Sequence, residues 1–64
     1  MIDAMTKLKA IQRELAFRQN LYPKWVAAGR ISQEKADHEI EVMRSIAKDY
    51  QDYIEANAEQ GTLL

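Results

Sequence analysis

The sequence predicts an all-α protein: an antiparallel helical hairpin, its first helix kinked near Pro23, that dimerises into a four-helix bundle. Three observations carry this. Two stretches of roughly helical period, residues 3–28 and 33–58, meet at Ala28-Gly29-Arg30-Ile31-Ser32-Gln33, which reads as one helix ending and another beginning. The apolar face of the second stretch is wider than one partner helix can cover. The chain has 64 residues and no cysteine, so neither a large core nor a disulfide is at hand to hold it, and self-association is the remaining device. Residues 1–64 form one helical-hairpin domain, divided as helix 3–28, turn 29–32, helix 33–58 and a frayed tail 59–64.

In the first stretch Ala4, Leu8, Ile11, Leu15, Arg18, Tyr22 and Trp25 follow alternating four- and three-residue steps, which lays them on one stripe of a helix. Arg18 is the exception in kind. Its guanidinium must reach water or a carboxylate, and both Glu14, one turn earlier, and an acid of the second helix are within prospect. Pro23 removes one backbone hydrogen bond and crowds the carbonyl of Gln19, which predicts a kink in a continuous helix. A break at Pro23 is disfavoured because Tyr22 is a poor N-cap and 23–28 is too short to stand alone. Gly29 supplies the left-handed residue that closes the helix, Ser32 the next N-cap, and Ile31 a staple onto the new helix. A turn this short forces the helices to lie antiparallel.

The second stretch repeats the spacing through Ala36, Ile40, Met43, Ala47, Tyr50, Ile54 and Asn57, with Ile46 and Tyr53 widening the stripe on one side. One half of that face meets the first helix, and the other is left for a second subunit. Beyond Asn57 the pattern lapses, which predicts the frayed tail.

Net charge is −1 but unevenly placed. Residues 1–32 hold six Lys or Arg against two acids, a balance of +4, and residues 33–64 hold three against eight, a balance of −5. A basic helix and an acidic helix attract across an antiparallel pair, which is the plain reading; a basic face for phosphates or acidic partners is the functional one. No basic stretch leads into an apolar segment at Met1-Ile2-Asp3-Ala4-Met5-Thr6-Lys7, and no apolar run approaches membrane-spanning length. With the absence of cysteine, this predicts an unprocessed protein of the cytoplasm that does not enter a membrane.

No catalytic or cofactor signature emerges. Ser32-Gln33-Glu34-Lys35 matches the S-x-x-K string of serine acyltransferases, but the serine sits at a helix start and nothing accompanies it, so the N-cap reading prevails. Glu34, His38 and Glu41 line one side of the second helix, where a solvated acidic face is the expectation over a metal site. The sequence therefore predicts no enzyme, no metal and no cofactor. Large apolar groups do gather near the closed end: Phe17, Tyr22, Trp25, Val26 and Ile31. Tyr22 and Trp25 either cap the core or anchor a partner; Phe17 and Val26 lie off the stripe and suit exposure or dimer contact.

The string Glu14-x3-Arg18-x3-Tyr22-Pro23-x2-Val26-x2-Gly29-Arg30-Ile31-Ser32, followed by Ala36, Ile40 and Met43, resembles a group of very small helical proteins encoded in bacteriophages and prophages. The likeness covers about half the chain. It implies a phage accessory protein at work in a bacterial cytoplasm, and it carries no activity with it. The reading that follows is a non-enzymatic homodimer that binds a host or phage macromolecule, with a protein partner favoured. Arg13, Phe17, Tyr22, Lys24, Trp25 and Arg30 are its candidate contact residues, aromatic anchors with a basic rim. The alternative is a nucleic-acid-binding regulator that sets Lys7, Lys9, Arg13 and Lys24 against phosphates. The acidic second helix and the lack of a recognition-helix signature count against that alternative.

Overall fold

A computed structural model describes residues 1–62, with side chains described as far as Asn57. Two helices account for nearly all of it, α1 (Ala4–Ala27) and α2 (Gln33–Thr62), packed along each other as a hairpin. Asp3, which the periodicity places inside the first helix, is instead its N-cap: the extended backbone turns the side chain back to accept from the Thr6 N–H at 2.8 Å. That bond stabilises the carboxylate and holds the Asp3 pKa below its ordinary value.

α1 runs without interruption through Pro23 to a cap at Ala28. The Arg30 N–H donates to the Trp25 carbonyl at 2.8 Å and the Gly29 N–H to that of Val26 at 3.0 Å, the paired bonds of a Schellman ending. Gly29 sits at φ +74°, which an L side chain adopts only at a cost. A Cβ built there meets no atom within 4 Å, so the cost is purely backbone. Gly29→Ala is accordingly expected to destabilise the hairpin by about 1 kcal/mol, and a thermal melt followed by circular dichroism will read it as a midpoint roughly 5 °C lower. Ser32 then opens α2, its Oγ accepting from the Lys35 N–H at 3.0 Å.

The far end of α2 corrects the sequence reading. The helix does not stop at residue 58 but continues to Thr62. Losing the apolar pattern removes a packing face, not the capacity to propagate: Ala58, Glu59 and Gln60 are all good helix formers, and extending a helix costs little once it is nucleated. Leu63 and Leu64, the end of the expected frayed tail, lie outside the described residues.

The two stripes face each other. Leu8, Tyr22 and Ala36 are buried, and Ile11, Leu15, Ile40, Met43, Ala47, Tyr50 and Ile54 half-buried. Small Ala36 lets the Tyr22 ring settle against α2 at the closed end. Asn57, the last position of the stripe, is exposed and turns its amide onto the Tyr53 carbonyl at 2.7 Å. The result is a rod of 53 × 18 × 17 Å in which only those three residues are buried among the described ones.

Candidate interaction surfaces

Near the closed end, four residues of α1 at one-turn intervals form a connected chain. Arg18 donates from Nε to Glu14 Oε1 at 2.7 Å and from Nη1 to the Tyr22 hydroxyl at 2.7 Å, and its guanidinium lies 5.7 Å from the Tyr22 ring centroid. Tyr22 in turn packs on Trp25, with centroids 5.7 Å apart and rings tilted by 34°. The Tyr22 hydroxyl first and the Glu14 carboxylate second stabilise the charged guanidinium, so the Arg18 pKa is raised above its ordinary value. This settles the pairing of Arg18 within α1. With two of its nitrogens committed, the side chain fixes the aromatic pair and offers no open fork to a phosphate.

Tyr22 must accordingly leave the set of candidate contact residues. It is 4% exposed, closed in by α2, and acts as core. Trp25 is half-buried and Arg30 exposed, and both line a groove of about 490 Å³ at the tip together with Arg18, Ile31, Lys35 and Glu39. Arg13 and Lys24 are exposed elsewhere. Helical spacing sets them with Lys9 on the side of α1 turned away from α2, a stripe that carries no acid. Lys7, the fourth residue of the basic set, leans instead over the Tyr50 ring, its Nζ 5.9 Å from the centroid. Among the described residues Lys7, Lys9, Arg13, Lys24 and Arg30 enter no ion pair.

Phe17 is 57% exposed and stands one turn after Arg13 and two turns before Lys24, at the edge where the basic stripe meets the tip-groove side of α1. The tip groove, with Lys35 and Glu39 on its α2 wall, opens on one broad side of the hairpin; a second groove, between Gln19 and Pro23 of α1 and Gln33 and Asp37 of α2, opens on the opposite side. Two turns on from Lys35 and Glu39 come Val42 and Ile46, and two turns beyond Ile46 comes Tyr53, so all three share the tip-groove side. On α1 the same side carries Lys7, Leu21 two heptads later, and Phe17 one turn before Leu21. At the open end Lys7, Tyr50 and Tyr53 line one common groove, which fixes the two flanks to the same side. Among the described residues of the two helices, Phe17, Val42, Ile46 and Tyr53, at 57, 42, 39 and 59% exposure, are four of the five large apolar side chains left open, and Met5 lies on the other side.

Of the four residues that the periodicity sets aside as surplus to the hairpin, Ile46, Tyr53 and Phe17 are exposed but Val26 is half-buried, and Val42 is exposed without having been among them. Its signal is the four-residue step to Ile46, which falls one position outside the main stripe. Elsewhere on α2, Glu34, His38 and Glu41 are exposed, and among the described residues no three potential ligands converge on a metal-sized site. No described helix is long and apolar enough to cross a membrane. Comparison with family models, with curated proteins and with solved structures finds no match to this chain.

Proposed function

We propose that this is a non-enzymatic, self-associating binding protein, a small accessory protein of phage or prophage origin that acts in the bacterial cytoplasm by engaging a host or phage protein. The observation that carries the binding role is the basic surface formed by Lys9, Arg13 and Lys24 on the outer side of α1 and Arg30 at the tip. These side chains are exposed and free of ion pairs among the described residues, although eight acids lie in the second half of the chain. The surface fits a partner with an acidic patch, and Trp25 at the edge of the tip groove supplies an aromatic contact beside the charges. A bend at Pro23, aiming the tip relative to the rest of α1, is part of the same reading, and the phage-protein resemblance of residues 14–32 supports the setting.

Nucleic acid is the second reading, favoured by the same basic surface free of acids, since phosphates meet such groups as well as carboxylates do. The two separate in one experiment. The tagged protein and its Lys24→Glu, Arg30→Glu double variant serve as bait in bacterial lysate at moderate salt, with and without nuclease. A stoichiometric protein that survives nuclease and is lost with the double variant, while helicity and mass of the bait stay unchanged, is the expected result. Recovery that vanishes with nuclease overturns it in favour of nucleic acid.

A further inference from the structure

We infer that two copies of this chain pack through the Phe17, Val42, Ile46, Tyr53 side with their turns at the same end, α1 of each hairpin lying on α2 of the other. The inference rests on the self-association proposed above and adds the face, the direction and the consequence for the binding surface. A compact protein of this mass exposes about 4,200 Å², whereas the hairpin exposes 5174 Å². The surplus, roughly 1,000 Å² per chain, is close to what each partner contributes to an interface of standard size, about 800 Å². An elongated rod exposes more than a compact body, and the row of large apolar side chains on one broad side is the part of its surface best suited to being covered.

Charge and register select the direction. With the turns at the same end, the two-fold axis runs along the helices and α1 of each copy lies on α2 of the other, which brings Lys7 and Arg18 on the packed side of α1 to the levels of Asp49 and Glu39 on that side of α2. With the turns at opposite ends, α1 lies on its own copy and α2 on its own copy, so half the contacts join like charges. Exposed charges contribute little to affinity in water but decide between otherwise similar packings. Register agrees. Tyr22 lies at the level of Ala36 and Lys7 at that of Tyr50. Counting from Tyr22 and Ala36, Phe17 is level with Glu41, next to Val42 in the chain and little more than one turn from Ile46. An axis along the helices preserves those levels, so each Phe17 meets Val42 and Ile46 of the other copy, apolar on apolar.

Two consequences follow for binding. Phe17 is covered in the dimer and leaves the partner surface, Arg13 and Lys24 on either side of it stand at the rim of the interface, and the two tips, each with Trp25 and Arg30, stand side by side at one end. The dimer then grips its partner bivalently. Basic groups of both tips come together there, a repulsion that an acidic partner relieves.

The test uses the full chain, which has no cysteine to interfere. Sedimentation gives the mass of the wild type, Ile46→Lys and Met5→Lys, and pulsed dipolar spectroscopy on a spin-labelled Ala28→Cys variant gives the distance between turns. The expected results are a dimeric wild type and Met5→Lys, dissociation at least about 100-fold weaker affinity in Ile46→Lys because the change occurs twice in a two-fold interface, and a label separation of about 15–25 Å. A dimer with labels about 40 Å apart overturns the direction while leaving self-association intact. A dimer that Met5→Lys dissociates overturns the face. A monomeric wild type sinks the inference and the proposed self-association together, and assigns the apolar side to some other occupant; loss of the double variant's partner in the lysate experiment is independent of both.

Discussion

Replacing Tyr22 with alanine is expected to abolish the cooperative thermal transition. The ring is one of three buried side chains among the described residues, it packs on Trp25, and its hydroxyl accepts from Arg18. Truncating a buried aromatic costs about 3–5 kcal/mol, and a chain of 64 residues has a total stability of roughly 3–10 kcal/mol to set against it. The change also leaves Arg18 without one acceptor and removes the ring that Ala36 was small enough to admit. Tyr22→Phe keeps the packing and loses only the hydroxyl, so it is expected to melt cooperatively at a modestly lower midpoint. Circular dichroism melts of the two variants check this. A Tyr22→Ala protein that unfolds within a few degrees of the wild type would show that the closed end is not where the hairpin is held.

Pro23→Ala is expected to act in the opposite direction and nearly as strongly. Pro23 stands at the twentieth position of an uninterrupted helix, where a proline donates no hydrogen bond to the carbonyl four residues earlier, that of Gln19, and its ring crowds that carbonyl by its covalent geometry. Alanine restores the bond and is the better helix former by about 3 kcal/mol. The site is exposed, so nothing in the core is disturbed. Urea unfolding will show a higher midpoint with an unchanged slope. Should the midpoint stay where it is, Gln19 has already found another donor. A gain would mean that the natural chain carries a destabilising residue beside its tip, and comparing partner capture by Pro23→Ala with the wild type then tests whether Pro23 serves binding.

What the sequence disclosed and what it did not divide along physical lines. The turn was legible because Gly29 and Ser32 act through their own backbone and hydroxyl, within a few residues, and a local rule needs no knowledge of the fold. Both stripes were legible for the same reason, as was Glu14 as one of two prospects for Arg18. The roles of Tyr22 and Trp25 were not. Both fall on the stripe, and which of them is sealed depends on where α2 crosses, a matter of Ala36 lying opposite one and not the other. Asp3 escaped because a periodic count extends naturally through a residue whose side chain is what starts the helix. The end of α2 escaped because amphipathic pattern reports packing, while helix propagation in Ala58, Glu59 and Gln60 needs none. Of the candidate contact surface, exposure of Phe17 was foreseen from its place off the stripe, whereas Arg13 and Lys24 separate from Trp25 and Arg30 only once the hairpin shows which side of α1 faces outward.

The Schellman ending at Gly29 and the cap at Ser32 also set the order in which the molecule assembles. Contacts beside the turn, such as those that bring Trp25 and Ile31 into one groove, close very short loops; Tyr22 and Ala36 are the next rung, and Lys7 meets Tyr50 only across most of the chain. Each step outward from the turn adds little loop entropy to the one before it. Such a ladder of increasing separation favours rapid folding that zips from the closed end, as contact order predicts for helical proteins. Opening proceeds in reverse, so amide protons at the start of α1 exchange with solvent before those beside Tyr22.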